Sequence, residues 1–459
     1  MMTRLKIVIL MLGLLSLFFF MVLPPAFGID VNQQQAAEGT DDKKTTPAGF
    51  FTPFLQKFDQ GFELNVKATA LSEFNQIATS SQNPSNRFAQ LPDTGIVFTI
   101  KPDMSLIYND WLLSARPRLS FEHKNRTIDA ATHGSSDTKA EMIEFLMRRQ
   151  LKENLFASYG CENLQWGPSF LYSPSNPFFR DNGKKNLVQD LEGKGFLKLV
   201  LVHDFSWSTS LIYNTDKGAL NESDFEKTLA VKIDYSGDES YASLILSHTE
   251  HRETKMGAFG GTTLTDAIII YAEATLQQGS LALFPVVMQS PLAWDMTAKK
   301  NDTDTLFATL LAGMSYTFES GDSMTVEYLY YGQGYDSTEM NHFNQLKNTA
   351  KSFYSSQTAL SGYGTQLLGK AAGNNLDFLR QNYLMIQYIN DDLINDVDLV
   401  SRVTFCLDDG SSQLYSSFSW DLNAHMELKI SGMVNTGGSN ASFGTFLDHQ
   451  IQMAIEYSF

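Results

Sequence analysis

The chain has 459 residues and carries 34 Lys and Arg against 51 Asp and Glu, a net charge of −17. That balance excludes a phosphate-binding surface, which needs an excess of cations, so no nucleic-acid partner is expected. A mean hydropathy of −0.18 excludes a bundle of membrane helices, each of which needs about 20 consecutive apolar residues. Two cysteines exclude a disulfide framework and a multi-cysteine zinc site.

In chain order, the first element is the apolar run Ile7 to Leu23, preceded by Arg4 and Lys6 and followed by Pro24-Pro25-Ala26-Phe27-Gly28. A positive start, an apolar core and small residues before a cut after Gly28 spell a secretory signal peptide over 1–28; an N-terminal membrane anchor is the alternative. Removing Arg4 and Lys6 with it takes the net charge from −17 to −19. Residues 29–60 read as a periplasmic leader, polar and without period over 29–48, with an amphipathic piece from Phe50 to Phe58.

From 61 to 459 the chain is a succession of period-2 segments. Leu229, Val231, Ile233 and Tyr235 alternate with Thr228, Lys232 and Asp234; Met426, Leu428 and Ile430 alternate with His425, Glu427 and Lys429. Strict alternation predicts strands with one apolar and one polar face. About 18 such segments (16–18) are expected. They lie near 62–74, 88–101, 104–123, 140–151, 153–163, 194–203, 205–214, 225–236, 239–249, 265–275, 279–289, 304–318, 323–332, 376–389, 395–407, 412–420, 424–434 and 447–459. Short connections (Pro102-Asp103, Gln277-Gln278, Gly321-Asp322) alternate with long ones (124–139, 164–193, 250–264, 333–375), with 408–411 the one short link in a long position. That rhythm, and aromatics at strand ends, predict an all-β transmembrane antiparallel up-and-down β-barrel with tight periplasmic turns and longer outer loops. A soluble propeller or solenoid is the alternative, but no motif recurs at fixed period.

The chain ends on Phe459, with Tyr457, Ile455, Met453 and Ile451 at every second position before it. This resembles the C-terminal signal of Gram-negative outer-membrane proteins. The resemblance implies residence in the bacterial outer membrane, contact with its lipid and lipopolysaccharide, and delivery by the barrel-assembly machinery through the Phe459 strand.

In such a barrel the polar face lines the interior. The inward set on three successive strands includes Arg116, Arg118, Glu122, Glu144, Arg148 and Glu162. Mixed charges on neighbouring strands resemble the transverse field of a porin constriction; lateral wall salt bridges are the alternative. Further inward groups are Lys198, Lys232, Asp234, Glu273, Glu327, His425, Glu427 and Lys429. Two loops are candidates for narrowing the pore: 164–193, rich in Pro, aromatics and Asn, and 333–375, in which Met340 to Lys351 is expected to be helical.

The stretch from Tyr159-Gly160-Cys161-Glu162 through Trp166-Gly167-Pro168 to Ser173-Pro174-Ser175-Asn176-Pro177 is the most distinctive. It resembles a strand-end pattern of alginate-export and capsule-assembly barrels, with Cys161 where those families usually carry Arg. Aromatics with adjacent Asn, Asp and Arg suit sugar binding, because rings stack on sugar faces and amides read hydroxyls, so Trp166, Tyr172, Asn176, Phe178, Phe179 and Arg180 are the candidate sugar contacts of a polysaccharide barrel; the same residues suit a folded-in constriction loop equally well.

No catalytic or metal-binding motif is present: the eight His are scattered, and no nucleophile elbow or phosphate loop occurs. With only about 30 residues before the first strand, an energy-coupled receptor with an N-terminal plug is not expected. The sequence thus predicts a porin-like channel, without catalysis, metal or cofactor, for passive transport of small hydrophilic solutes or ions. A polysaccharide barrel (an exporter or capsule-binding surface lectin) is the second reading. Small solutes or saccharides are the expected partners, and a homo-oligomer is left open.

Overall fold

The structure, a computed structural model, describes residues 61–179, 193–215, 227–250, 254–288, 294–298, 305–356, 358–394 and 396–459. The expected signal peptide (1–28) and leader (29–60) lie outside them. The strands in chain order are β1 (Phe62–Ile77), β2 (Thr94–Tyr108), β3 (Trp111–Ile128), β4 (Ala131–Lys152), β5 (Leu155–Glu162), β6 (Lys194–Val202) and β7 (Trp207–Asn214). They continue with β8 (Thr228–Ser236), β9 (Ser240–Thr249), β10 (Thr254–Thr265), β11 (Ile268–Gln278), β12 (Leu283–Val287), β13 (Trp294–Ala298) and β14 (Leu306–Thr317). The last six are β15 (Ser323–Tyr331), β16 (Asn382–Asn390), β17 (Val397–Cys406), β18 (Ser412–Asn423), β19 (Met426–Thr436) and β20 (Leu447–Ser458). Helices α1 (Ser337–Tyr354) and α2 (Leu360–Ala372) stand between β15 and β16.

Eighteen strands form one antiparallel sheet, and β12 pairs only with β13 as a separate hairpin. The sheet closes because β20 pairs with β1, from Lys67↔Ser458 to Ile77↔Leu447, and the Phe459 amide donates to the Val66 carbonyl one step beyond. Alternation decides the two faces: Leu310 is 50% exposed while its neighbour Leu311 is 2% exposed. Outward residues form an apolar belt, with aromatic pairs at its periplasmic edge: Trp207 with Tyr235, ring centroids 5.0 Å apart, Tyr316 with Phe318 at 4.8 Å, and Tyr457 with Phe459 at 4.7 Å. Inward positions carry the buried polar set, including Thr309, Glu327, Gln387 and Glu456.

The expected total of strands stands, but four expected placements do not. The link placed at Pro102-Asp103 lies inside β2, and the real turn is Asn109-Asp110. Pro102 stands opposite Pro117, and the β2–β3 ladder lapses between Ile100↔Leu119 and Met104↔Ala115, because proline has no N–H to donate. The expected 124–139 loop is instead the continuation of β3 and β4, paired out to Ile128↔Ala131. It closes on Asp129-Ala130, both at positive φ (50° and 63°), as a tight hairpin requires. Finally, β10 runs through the expected 250–264 loop, and the expected wall strand at 279–289 is β12, outside the wall. Glycines hid β10. At Gly257 a Cβ would fall 2.8 Å from the Ser175 backbone, and at Gly261 2.6 Å from the Tyr241 hydroxyl.

Because Leu310 lies mid-strand on the lipid face, Leu310→Arg should destabilise the barrel by about 2–4 kcal/mol, measured by reversible denaturant unfolding in lipid vesicles.

Candidate functional site

The chain leaves β5 at Glu162 and turns into the lumen. Trp166 meets Phe178 edge to face at 5.8 Å, and Phe178 meets Phe196 at 4.8 Å, over Ile212 and Ala230 on the inner faces of β7 and β8. The same segment then reaches a distant stretch of wall. Leu171 and Tyr172 pack on Tyr271, Leu311, Leu329, Tyr331 and Tyr383, with the Tyr172 ring 5.9 Å from Tyr331 and 5.5 Å from Phe378. β5 and β15 stand nearly opposite each other in the ring, so residues 163–179 cross the lumen.

Two inward carboxylates receive this crossing. Glu273 of β11, 2% exposed, accepts from the Ser169 hydroxyl (2.9 Å), the Ser173 hydroxyl (2.5 Å), and the Ser175 amide (3.0 Å) and hydroxyl (2.6 Å). Glu327 of β15, fully buried, accepts from the amides of Phe170 and Leu171, each at 2.7 Å, and from the Tyr271 hydroxyl at 2.6 Å. Gly167 sits at φ +93°, and a Cβ there would lie 2.7 Å from a Glu273 carboxylate oxygen, so only glycine allows this approach. The Asn176 side chain donates to the Leu164 carbonyl and accepts from the Phe178 amide, closing the segment on itself.

The inward charges are paired with neighbours along the wall. Arg116 bridges Asp103 (2.9 Å) and Glu144 (2.8 Å), and Arg118 meets Glu141 (2.5 Å). Glu122 lies between Lys124 (2.9 Å) and Lys139 (3.9 Å), and Glu162 meets Lys198 (3.0 Å). A bulge at Ile143 keeps Glu141 and Glu144 on the same face. Arg148 makes no ion pair among the described residues. It lines a lumen cavity of about 390 Å³ with Leu146, Phe156, Ser158, Glu162, Lys198 and Val200. The six expected wall residues do not meet at one level: Arg116 and Glu122 are six residues apart on one strand, about 20 Å along it. His425, expected inward, instead lies in the turn before β19 with its ring 6.0 Å from Tyr457.

The expected sugar-contact residues are occupied in holding the crossing segment. Phe178 and Asn176 are buried, at 2% and 4% exposure, and the Tyr172 hydroxyl donates to Asp377 at 2.9 Å. Phe179 packs on Tyr172 at 5.1 Å. Arg180 lies outside the described residues. Glu273 and Glu327 were legible as inward positions, but nothing local in the sequence pointed to the loop they bind.

Over the outer mouth, α1, α2 and the β12–β13 hairpin share one core: Phe284, Trp294, Met296, Tyr335, Phe343, Leu346, Leu367 and Leu368. The expected helix is present as α1, started by a capping box in which the Asp336 carboxylate accepts from the Glu339 amide at 2.7 Å; α2 was not expected. The β1–β2 loop joins this cap from another part of the rim. Gln82 donates to the Ala371 carbonyl at 2.7 Å and Arg87 to the Tyr354 hydroxyl at 3.0 Å.

A closed strand wall, an apolar belt and a polar lumen crossed by a loop define an outer-membrane β-barrel. No protein-family model and no curated protein sequence matches the chain. Its fold is similar to that of OccAB1 of Acinetobacter baumannii, at 9% identity and a TM-score of 0.50, covering 87% of this chain and 96% of that one. It is likewise similar to OccK5 (OpdH) of Pseudomonas aeruginosa, at 8% identity, a TM-score of 0.50 and coverage of 87% and 98%. A third similar structure is the outer membrane protein OprD from Pseudomonas aeruginosa, at 9% identity, a TM-score of 0.50 and coverage of 87% and 94%.

Within the cap, Lys347 of α1 is fully buried, its Nζ has no hydrogen-bond partner among the described residues, and it sits 4.7 Å from the Phe343 ring centroid. Burial pushes its amine down from 10.5 to about 8. The undocked amine keeps its proton up to 10.5, so charge opposes docking fully below pH 8 and ceases to do so above pH 10.5. Lys347→Met should therefore stabilise the docked cap at pH 7, by up to about 3 kcal/mol, with the gain shrinking toward pH 10.5. The denaturant dependence of protease cleavage within 337–372 at several pH values measures it.

Proposed function

We propose that the protein is a passive outer-membrane channel for small hydrophilic solutes or ions, narrowed by a loop that crosses its lumen. The observation that carries this reading is a cavity with charged lining inside a wall whose outer face is apolar. Such a wall needs no catalytic group; lumen width, wall charge and loop contacts set what passes. One barrel of similar fold is the outer membrane protein OprD, which supports an outer-membrane place for this one.

In this reading Arg116, Arg118, Glu122, Glu144, Arg148 and Glu162 line the solute path. The lateral pairs largely cancel each other's fields. Arg148, which faces the cavity without an ion pair, is left as the strongest local anion-attracting group. Export through the 1–28 signal peptide and insertion through the Phe459 strand complete the proposal. Nothing in the described part of the loop favours the polysaccharide reading, because its aromatic rings are turned into packing rather than presented as an outer shelf.

In planar bilayers the purified protein should give steady single-channel steps, and Arg148→Ala should shift the reversal potential in a salt gradient toward cation preference. A protein shown to be folded by its heat-modifiable gel shift that carries no current would refute the open channel.

A further inference from the structure

We infer that Glu273 and Glu327 set the channel's solute size limit by latching residues 163–179 across the lumen. The inference rests on the channel reading above.

A carboxylate on the inner wall of an aqueous lumen ordinarily keeps its water. These two do not: they are 2% and 0% exposed. A dehydrated carboxylate is tolerated only when hydrogen bonds replace its hydration. The crossing loop supplies the donors: Ser175 gives Glu273 its amide and hydroxyl, the Ser173 and Ser169 hydroxyls share their single protons between Glu273 and the Trp166 and Tyr172 carbonyls, and the amides of Phe170 and Leu171 go to Glu327. Bonds to a charged acceptor are the stronger kind. The loop is thus held on the wall by polar contacts at β11 and β15, while its own strand of origin, β5, is far around the ring.

The two anchors differ in kind. The donors to Glu273 are mostly hydroxyls, which can rotate to accept instead. The loop donors to Glu327 are backbone amides, which cannot reverse. Replacing Glu273 by Gln therefore leaves the loop a way to adapt. Replacing Glu327 by Gln sets an amide N–H against a backbone N–H, or leaves one of them unpaired. Gly167 supplies an independent lever. Gly167→Ala adds a Cβ 2.7 Å from a Glu273 oxygen at a φ of +93°, pushing the segment off its anchor with both carboxylates intact.

The test combines single-channel conductance, exclusion of polyethylene glycols of graded size from the pore, and chymotrypsin cleavage after Phe170, Leu171 or Tyr172. Folding of each variant is checked by the heat-modifiable gel shift. Wild-type protein should resist cleavage. Glu327→Gln and Gly167→Ala should be cleaved, pass at least twofold more current and admit larger glycols, with Glu273→Gln intermediate. Folded Glu327→Gln and Gly167→Ala proteins with wild-type size cut-off and protease resistance would overturn the latch while leaving the channel reading intact. If the wild type carries no current, the channel reading fails by itself, and cleavage still decides: new cuts in both variants support the latch, and their absence overturns it.

Discussion

Hydrocarbon offers no partner to a backbone N–H or C=O, so a sheet can span a membrane only if it has no edge. The pairing of β20 with β1 is where this chain meets that constraint. Eleven residues of β1, from Lys67 to Ile77, have partners on the last strand, and the terminal amide of Phe459 finds the Val66 carbonyl. Everything else is arranged on that ring. Once it is closed, alternation turns every second residue toward lipid and every other toward the interior, so that Leu310 and Leu311, chemically identical, end at opposite extremes of exposure.

Closure creates a second difficulty inside. A lumen walled by 18 strands is wide, and the polar groups lining it must be solvated or paired. Along β2 to β6 the answer is lateral: Asp103, Arg116 and Glu144 form a chain of partners, as do Glu162 and Lys198. Half-exposed pairs of this kind add little stability, but they flatten the field along the wall. On the opposite side the answer is the loop itself. Its serines and amides take the place of water at Glu273 and Glu327, and its apolar residues cover Tyr271, Leu329 and Tyr383. The lumen is asymmetric as a result, dry and packed toward β11–β17 and open as a cavity toward β4–β6.

Much of this was written locally in the chain and could be read there. Period 2 follows from the pleat, so the barrel, its faces and the inward direction of Arg116, Glu273 and Glu327 were all legible. Boundaries failed where a local signal had a distant cause. Pro102 looked like a turn but faces Pro117 across the ladder; the glycines of β10 looked like a loop but make room for Ser175 and Tyr241. The 164–193 loop was legible as one able to fold inward, but not the residues it packs on. Trp166, Tyr172, Asn176 and Phe178 have the composition of a sugar site. What decides their role is contact with residues 18 to 205 positions away, such as Phe196, Tyr331 and Asp377, and alternation carries no information about such contacts.

The cap and the crossing loop are not independent. Leu376 packs against both the core of the cap and the core formed on Tyr271, Leu329 and Tyr331, and Phe378, two residues on, meets Tyr172 and Tyr331 edge to face. The chain that leaves α2 therefore touches the loop before it enters β16. Moving α1 and α2 off the mouth strips apolar cover from Leu376, and releasing the loop strips it from Phe378, so both displacements act on the one short segment between α2 and β16. A buried, unpartnered amine at Lys347 holds the cap below the stability its apolar core would otherwise give it. Leu376 and Phe378 are the apolar contacts through which a loosened roof would reach the crossing loop.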